Sequence, residues 1–73
     1  MWVRSQDKRR LIKCICFEVS ENRNVIFGYT KSHGISLGEY STHEKALRVL
    51  NIIQNRILIE GIIFVMPKDE DVE

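Results

Sequence analysis

Ser41 to Gly61 reads STHEKALRVLNIIQNRILIEG, and the fold turns on whether this stretch is one helix. Ser41 followed by Glu44 matches a capping box, in which the hydroxyl accepts a backbone N–H of the first turn and the carboxylate reaches back to the cap. Ala46, Val49, Leu50, Ile53 and Ile57 recur at the spacing of one helical face, while Lys45, Arg48, Asn51 and Asn55 fall opposite them. Glu44 and Arg48 stand four apart in the favourable order. Gly61 is a natural left-handed terminator. Ile52, Leu58 and Ile59 lie off the apolar stripe. Either the last turn is buried on more than one side, or the helix stops near Asn55 and Arg56–Ile59 runs differently; the spacing favours a helix continuing to Glu60.

Working outward, the segments on either side of the helix read as strands. Met1–Arg4 is a short strand, and Ser5–Arg10 a polar turn. Leu11–Val19 alternates with period two, placing Leu11, Ile15, Phe17 and Val19 on one face and Ile12, Cys14 and Cys16 on the other. Both faces are apolar, as in a strand covered on both sides. Val25–Thr30 and Ile35–Tyr40 follow across the polar turns Ser20–Asn24 and Lys31–Gly34, giving an antiparallel meander. Gly28 and Gly38, inside strands, mark bulges or a curved sheet. After the helix, Ile62–Met66 is an apolar run closed by Pro67, read as a strand buried on both faces and lying near Trp2–Arg4. The expected fold is α+β: a small antiparallel sheet in the order β-β-β-β-α-β with one amphipathic helix packed on one face. Residues 1–67 form a single domain, and residues 68–73 an acidic C-terminal tail, expected to fray.

A chain of 73 residues buries only about 60% of its unfolded surface, so its core has little to spare. No run approaches the roughly 18 apolar residues of a membrane span. The opening MWVRSQDKRR has no apolar stretch behind its charges, unlike a signal peptide, so a cytoplasmic location is expected. The net charge of +1 hides an uneven distribution: residues 1–31 carry seven basic and three acidic side chains, and residues 32–73 carry four and seven.

Few residues suggest chemistry. Cys14 and Cys16 would place two thiols on one strand face about 7 Å apart, but zinc needs two further ligands, and two buried thiols behave as small apolar side chains. His33 and His43 are the two imidazoles, each in or beside a turn. Nothing resembles a nucleophile elbow or a phosphate loop. No catalytic residue, metal or cofactor is assigned, and an enzyme is not expected. The most concentrated basic stretch is Lys8, Arg9 and Arg10 with Arg4 and Lys13 nearby. Together with Trp2, Phe17 and Tyr29 as stacking surfaces, it makes nucleic-acid binding the alternative reading.

Met1–Asp7, MWVRSQD, resembles the opening of a set of small uncharacterised proteins of low-GC Gram-positive bacteria and their phages or prophages. In that set a strand-rich middle is followed by a segment like Leu37–Gln54, LGEYSTHEKALRVLNIIQ, and an ending like Val65-Met66-Pro67. The resemblance implies a bacterial or phage origin and a cytoplasmic location, and it attaches no activity, cofactor or catalytic residue.

One helix covers one face of a small sheet. With Leu11, Ile15, Phe17, Val25, Phe27, Ile35 and Leu37 beneath it, the far face holds Ile12, Cys14, Cys16, Ile26 and Tyr40 with alternate residues of Ile62–Met66, a patch of the kind that marks interaction sites. Either the sheet curls into a half-barrel that buries both sets, or a second copy or another protein covers the far face. The expectation is a homodimer or a protein partner docked there, with Ile26→Asp abolishing association. The expected function is that of a small non-enzymatic interaction or accessory protein of phage or mobile-element origin.

Overall fold

A computed structural model describes residues 1–59 and 61–73. Among the described residues the fold is α+β. Six strands form two small, mostly antiparallel sheets, with one helix packed against them. The strands are β1 (Trp2–Arg4), β2 (Leu11–Lys13), β3 (Cys16–Val19), β4 (Val25–Tyr29), β5 (Gly34–Glu39) and β6 (Ile63–Val65), with helix α1 (His43–Arg56) between β5 and β6. The first sheet has the order β2-β1-β6 and the second β3-β4-β5. β6 lies beside β1, as expected, but parallel to it, in the register Trp2↔Ile63, Val3↔Phe64, Arg4↔Val65.

The expected strand Leu11–Val19 is two strands. The Cys14 N–H donates to the Met1 carbonyl at 2.9 Å, whereas the next amide, that of Ile15, donates to the Tyr29 carbonyl at 2.8 Å. The chain thus leaves one sheet and joins the other between adjacent residues. Alternation slips at the same point: Ile12 and Cys14 point inward, Ile15 and Cys16 are both exposed, and Phe17 and Val19 turn inward again. A one-residue slip moves every later side chain to the opposite face. A second irregularity lies between Ile26 and Phe27 in the β4–β5 ladder, and on β5 the consecutive residues Leu37 and Gly38 are both buried.

These two breaks curl the sheets around one core. Val3, Ile12, Cys14, Ile26, Leu37, Tyr40, Phe64 and Met66 meet Ala46, Val49 and Ile53 of the helix in one cluster. Gly28 sits where Cys14 and Leu37 pack closely over the backbone: a Cβ there would stand 2.6 Å from Cys14 Sγ and 2.7 Å from Leu37 Cδ1. On the other side, Gln6 closes the seam between the sheets. Its backbone N–H donates to the Leu37 carbonyl at 2.8 Å. Its side-chain amide then behaves like a strand residue, accepting from the Glu39 N–H at 2.9 Å and donating to the Glu39 carbonyl at 3.0 Å. The same Nε2 reaches the Pro67 carbonyl at 3.2 Å, which also accepts from the Tyr40 hydroxyl at 2.8 Å.

The helix differs from expectation at both ends. Its N-cap is Thr42, whose hydroxyl accepts from the Lys45 N–H at 3.1 Å. Ser41 stands one residue too early, because its own N–H is held by Asp69 Oδ1 at 2.7 Å. The acidic segment is therefore docked. Lys45 Nζ reaches the Asp69 carbonyl at 3.1 Å and its carboxylate at 3.6 Å, and Val72 joins the core. At the other end α1 stops at Arg56, and Ile57–Ile59 continue in turns, with Leu58 89% exposed. Ile57 leaves the buried stripe. Glu60, to which the longer reading ran, lies outside the described residues. Gly61 does take the left-handed conformation, at φ +82°.

Gly28→Ala tests the curl: with Cys14 and Leu37 already in contact range, the added methyl should lower unfolding stability by about 1–3 kcal/mol in urea titrations. Ala at an open strand position would leave stability nearly unchanged.

Candidate functional site

The expected far face is not a surface. Ile12, Cys14, Ile26 and Tyr40 are at most 8% exposed and lie in the core cluster; Cys16, alone of the five residues assigned to that face by number, is exposed. The cause is the slip at Ile15 and Cys16, which turns Ile12, Cys14 and Ile26 to the same interior as Phe17, Ile35 and Leu37 and leaves Leu11 and Ile15 exposed. Ile26→Asp would therefore bury a carboxylate and unfold the chain rather than report on association. The two thiols do not share a face either. Burial pushes the Cys14 thiol up from its ordinary pKa, and burial, reinforced by the Asp69 carboxylate, does the same to the Tyr40 hydroxyl.

The basic residues are held by a tightly built hairpin. Ser5 is buried; its hydroxyl donates to Asp7 Oδ1 at 2.6 Å and accepts from the Arg10 N–H at 3.1 Å. The Arg9 N–H adds a second bond to Asp7 at 3.0 Å. The Ser5 hydroxyl first, and then that amide, hold the Asp7 carboxyl below its usual pKa. Lys8 turns the chain in the left-handed conformation, φ 68°, and its carbonyl accepts from Arg4 Nε and Nη2, each at 3.1 Å. Lys8, Arg9 and Arg10 stand exposed on this turn. Arg4 and Lys13 instead lie on the outer face of the β2-β1-β6 sheet.

That outer face is what remains uncovered. Pairing places Trp2 between Lys13 and Ile63, and Arg4 between Leu11 and Val65. Trp2, Leu11, Ile63 and Val65 are each about half exposed. The face continues onto the end of the helix. Met1, Trp2, Lys13, Ile57, Ile59 and Ile63 line an open hollow of about 530 Å³, and Ile63 also lines the adjoining one with Ile52, Arg56 and Val65. Two signals in the sequence marked this surface: a Trp at position 2, and Ile52 and Ile59 off the helical stripe. Alternate residues of Ile62–Met66 were expected to lie uncovered, but a short unbroken apolar run does not show which of its faces is covered, so Ile63 and Val65 could not be singled out.

Other chemistry-bearing residues do not converge on this face. His33 and His43 flank opposite ends of β5. Among the described residues no group of three or more His, Cys, Asp or Glu side chains is placed to hold a metal ion, and no helix is long and apolar enough to cross a membrane. No protein-family model, curated protein or solved structure matches the chain.

Asp7 and Asp69 predict how stability responds to acid. The Ser41 N–H and Lys45 hold Asp69 below the ordinary 3.8, as Ser5 and Arg9 do Asp7. A carboxyl whose pKa falls on folding contributes stability that is complete above its unfolded value and is lost as pH falls through the folded one. The melting temperature should hold steady down to about pH 5 and drop below about pH 4. In Asp69→Asn that acid-induced drop should be smaller in circular-dichroism melts.

Proposed function

We propose that this chain is a small non-enzymatic interaction protein, an accessory factor of phage or mobile-element origin acting in the cytoplasm, and that it docks on a protein partner through the outer face of the β2-β1-β6 sheet. The observation that carries the reading is the contiguity of Trp2, Leu11, Ile63 and Val65 with Ile52, Ile57 and Ile59, all 39% exposed or more on a chain of 73 residues. Isolated exposed apolar residues are ordinary, but a continuous apolar surface rimmed by charge marks an interaction site. Trp is also the side chain most often found to anchor such contacts. The phage or mobile-element origin and the cytoplasmic location rest on the resemblance of MWVRSQD and LGEYSTHEKALRVLNIIQ to the small bacterial and phage set. The partner is a second copy or another protein.

A second reading has its own support. Arg4 and Lys13 flank Trp2 on the same face, and Lys8–Arg10 adjoin it, an arrangement suited to stacking one base and neutralising its phosphates. The two readings separate by salt. Phosphate contacts weaken with a log–log slope of about −0.7 per contact on single strands, whereas an apolar contact is nearly indifferent to salt.

Ile63→Glu tests the first reading, since Ile63 is 53% exposed and its replacement leaves the core intact. Tagged wild-type chain recovered from bacterial lysate, or examined alone by light scattering, should carry a partner or a second copy that survives 0.5 M salt. The variant should lose it while keeping its melting temperature. Identical complexes from both chains would remove this face as the docking surface; nucleic acid released from the wild type by salt would favour the second reading.

A further inference from the structure

β6 ends its sheet: in the order β2-β1-β6 nothing among the described residues pairs with its other side. In a parallel ladder a strand directs the N–H and C=O of alternate residues to the same neighbour. The Met66 N–H donates to the Arg4 carbonyl at 3.0 Å, so Phe64 and Met66 turn their backbone groups toward β1. Ile63 and Val65 then turn theirs away from it. Among the described residues no loop or cap hydrogen bond reaches either of them. Pro67, which has no N–H to offer, ends this open edge, and its carbonyl is already taken by Gln6 and Tyr40.

The edge lies beside a groove. Ile52 and Arg56 of the helix form one wall of an open hollow of about 360 Å³, and Ile63, Phe64, Val65 and Pro67 form the other. Sheet edges that are protected against pairing carry a lysine or another charge, whereas this one presents two half-exposed aliphatic side chains, Ile63 and Val65.

We propose that β6 accepts an extended segment of a partner protein as an added strand, apolar where it lies beside Ile63 and Val65 and acidic where it meets Arg56 across the groove. The proposal rests on the docking face described above and names the occupant and its mode of binding. Extended segments gain affinity from main-chain hydrogen bonds at an open edge and specificity from alternate side chains. The charge beside the edge selects an acidic segment. Among the described residues lining this groove the one ionisable side chain is Arg56. A second copy pairing edge to edge would offer it no carboxylate from the same groove. A nucleic acid would neutralise that cation but leave the Ile63 and Val65 backbone groups without a strand to pair with.

The test uses the full chain labelled with ¹⁵N and a synthetic ten-residue peptide of alternating valine and glutamate. A second peptide with lysine in place of glutamate is the control. Amide hydrogen exchange is read residue by residue, and Trp2, the single tryptophan, reports contact with the face by fluorescence. The acidic peptide should slow exchange at Ile63 and Val65 by about tenfold or more, leave the already paired Phe64 and Met66 amides unchanged, and move the Trp2 emission. The lysine peptide should do none of this. If the acidic peptide shifts Trp2 while Ile63 and Val65 exchange as before, strand addition is wrong and the docking face stands. If both peptides protect the edge equally, the acidic selectivity is wrong. If the acidic peptide at millimolar concentration changes neither exchange nor emission, the proposal is overturned, whatever Ile63→Glu does to partner recovery.

Discussion

Between Cys14 and Ile15 the chain passes from one sheet to the other, and the single core depends on that step. Ile12 and Cys14 point inward before it, Phe17 and Val19 point inward after it, and Ile15 and Cys16 are spent on the outside to change the phase. A small chain with apolar residues on both strand faces and one helix cannot cover two separate faces. Curling the sheet brings Ile12, Cys14 and Ile26 into one interior with Phe17, Ile35 and Leu37, and leaves Leu11 and Ile15 outside. Gly28 permits the close approach of Cys14 and Leu37, and Gln6 closes the opposite seam by pairing its side-chain amide with the Glu39 backbone. This one side chain thus gives both Glu39 backbone groups the partners that a neighbouring strand would supply.

The docked C-terminal segment extends the same economy. Asp69 takes the Ser41 N–H and Lys45, moving the helix cap to Thr42, and Val72 fills the core beneath. The helix therefore begins where its neighbours allow it. It ends at Arg56, which leaves Ile57 and Ile59 beside Trp2 and Ile63, with Leu58 facing outward. What the interior gains by curling, the outer face of β2-β1-β6 loses, and the uncovered apolar surface moves from the centre of the sheet to its outer side.

Much of this fold was legible in the sequence. The helix, the meander and the left-handed Gly61 follow from periodicity and turn chemistry, and the proximity of β6 to β1 was expected from both segments being short and lying at the chain ends. The capping box was misread by one residue, because Ser41 and Thr42 are equally good caps in isolation and only the distant Asp69 distinguishes them. The strand Leu11–Val19 was misread because strict alternation gives no sign of a slip when every candidate position is apolar; a Lys at Ile15 would have revealed it. The proposed surface was half legible. Trp2 and the off-stripe Ile52, Leu58 and Ile59 signalled apolar groups without an assigned partner, but the residues first chosen for an interface, Ile12, Cys14, Ile26 and Tyr40, belong to the interior. Their burial is set by curvature, a property of several strands together that no single segment encodes.

The most direct measurement of the curl is the reactivity of the two cysteines in the native chain. Brief labelling with iodoacetamide, followed by fragment mass spectrometry, places the adduct on Cys14 or Cys16. Cys14 is 3% exposed and its thiol is pushed up by burial, whereas Cys16 is exposed. The account predicts prompt modification of Cys16 alone, with Cys14 reacting only as the fold opens and so orders of magnitude more slowly. Equal rates at both positions would place the thiols on one accessible face of a straight strand and contradict the curled core.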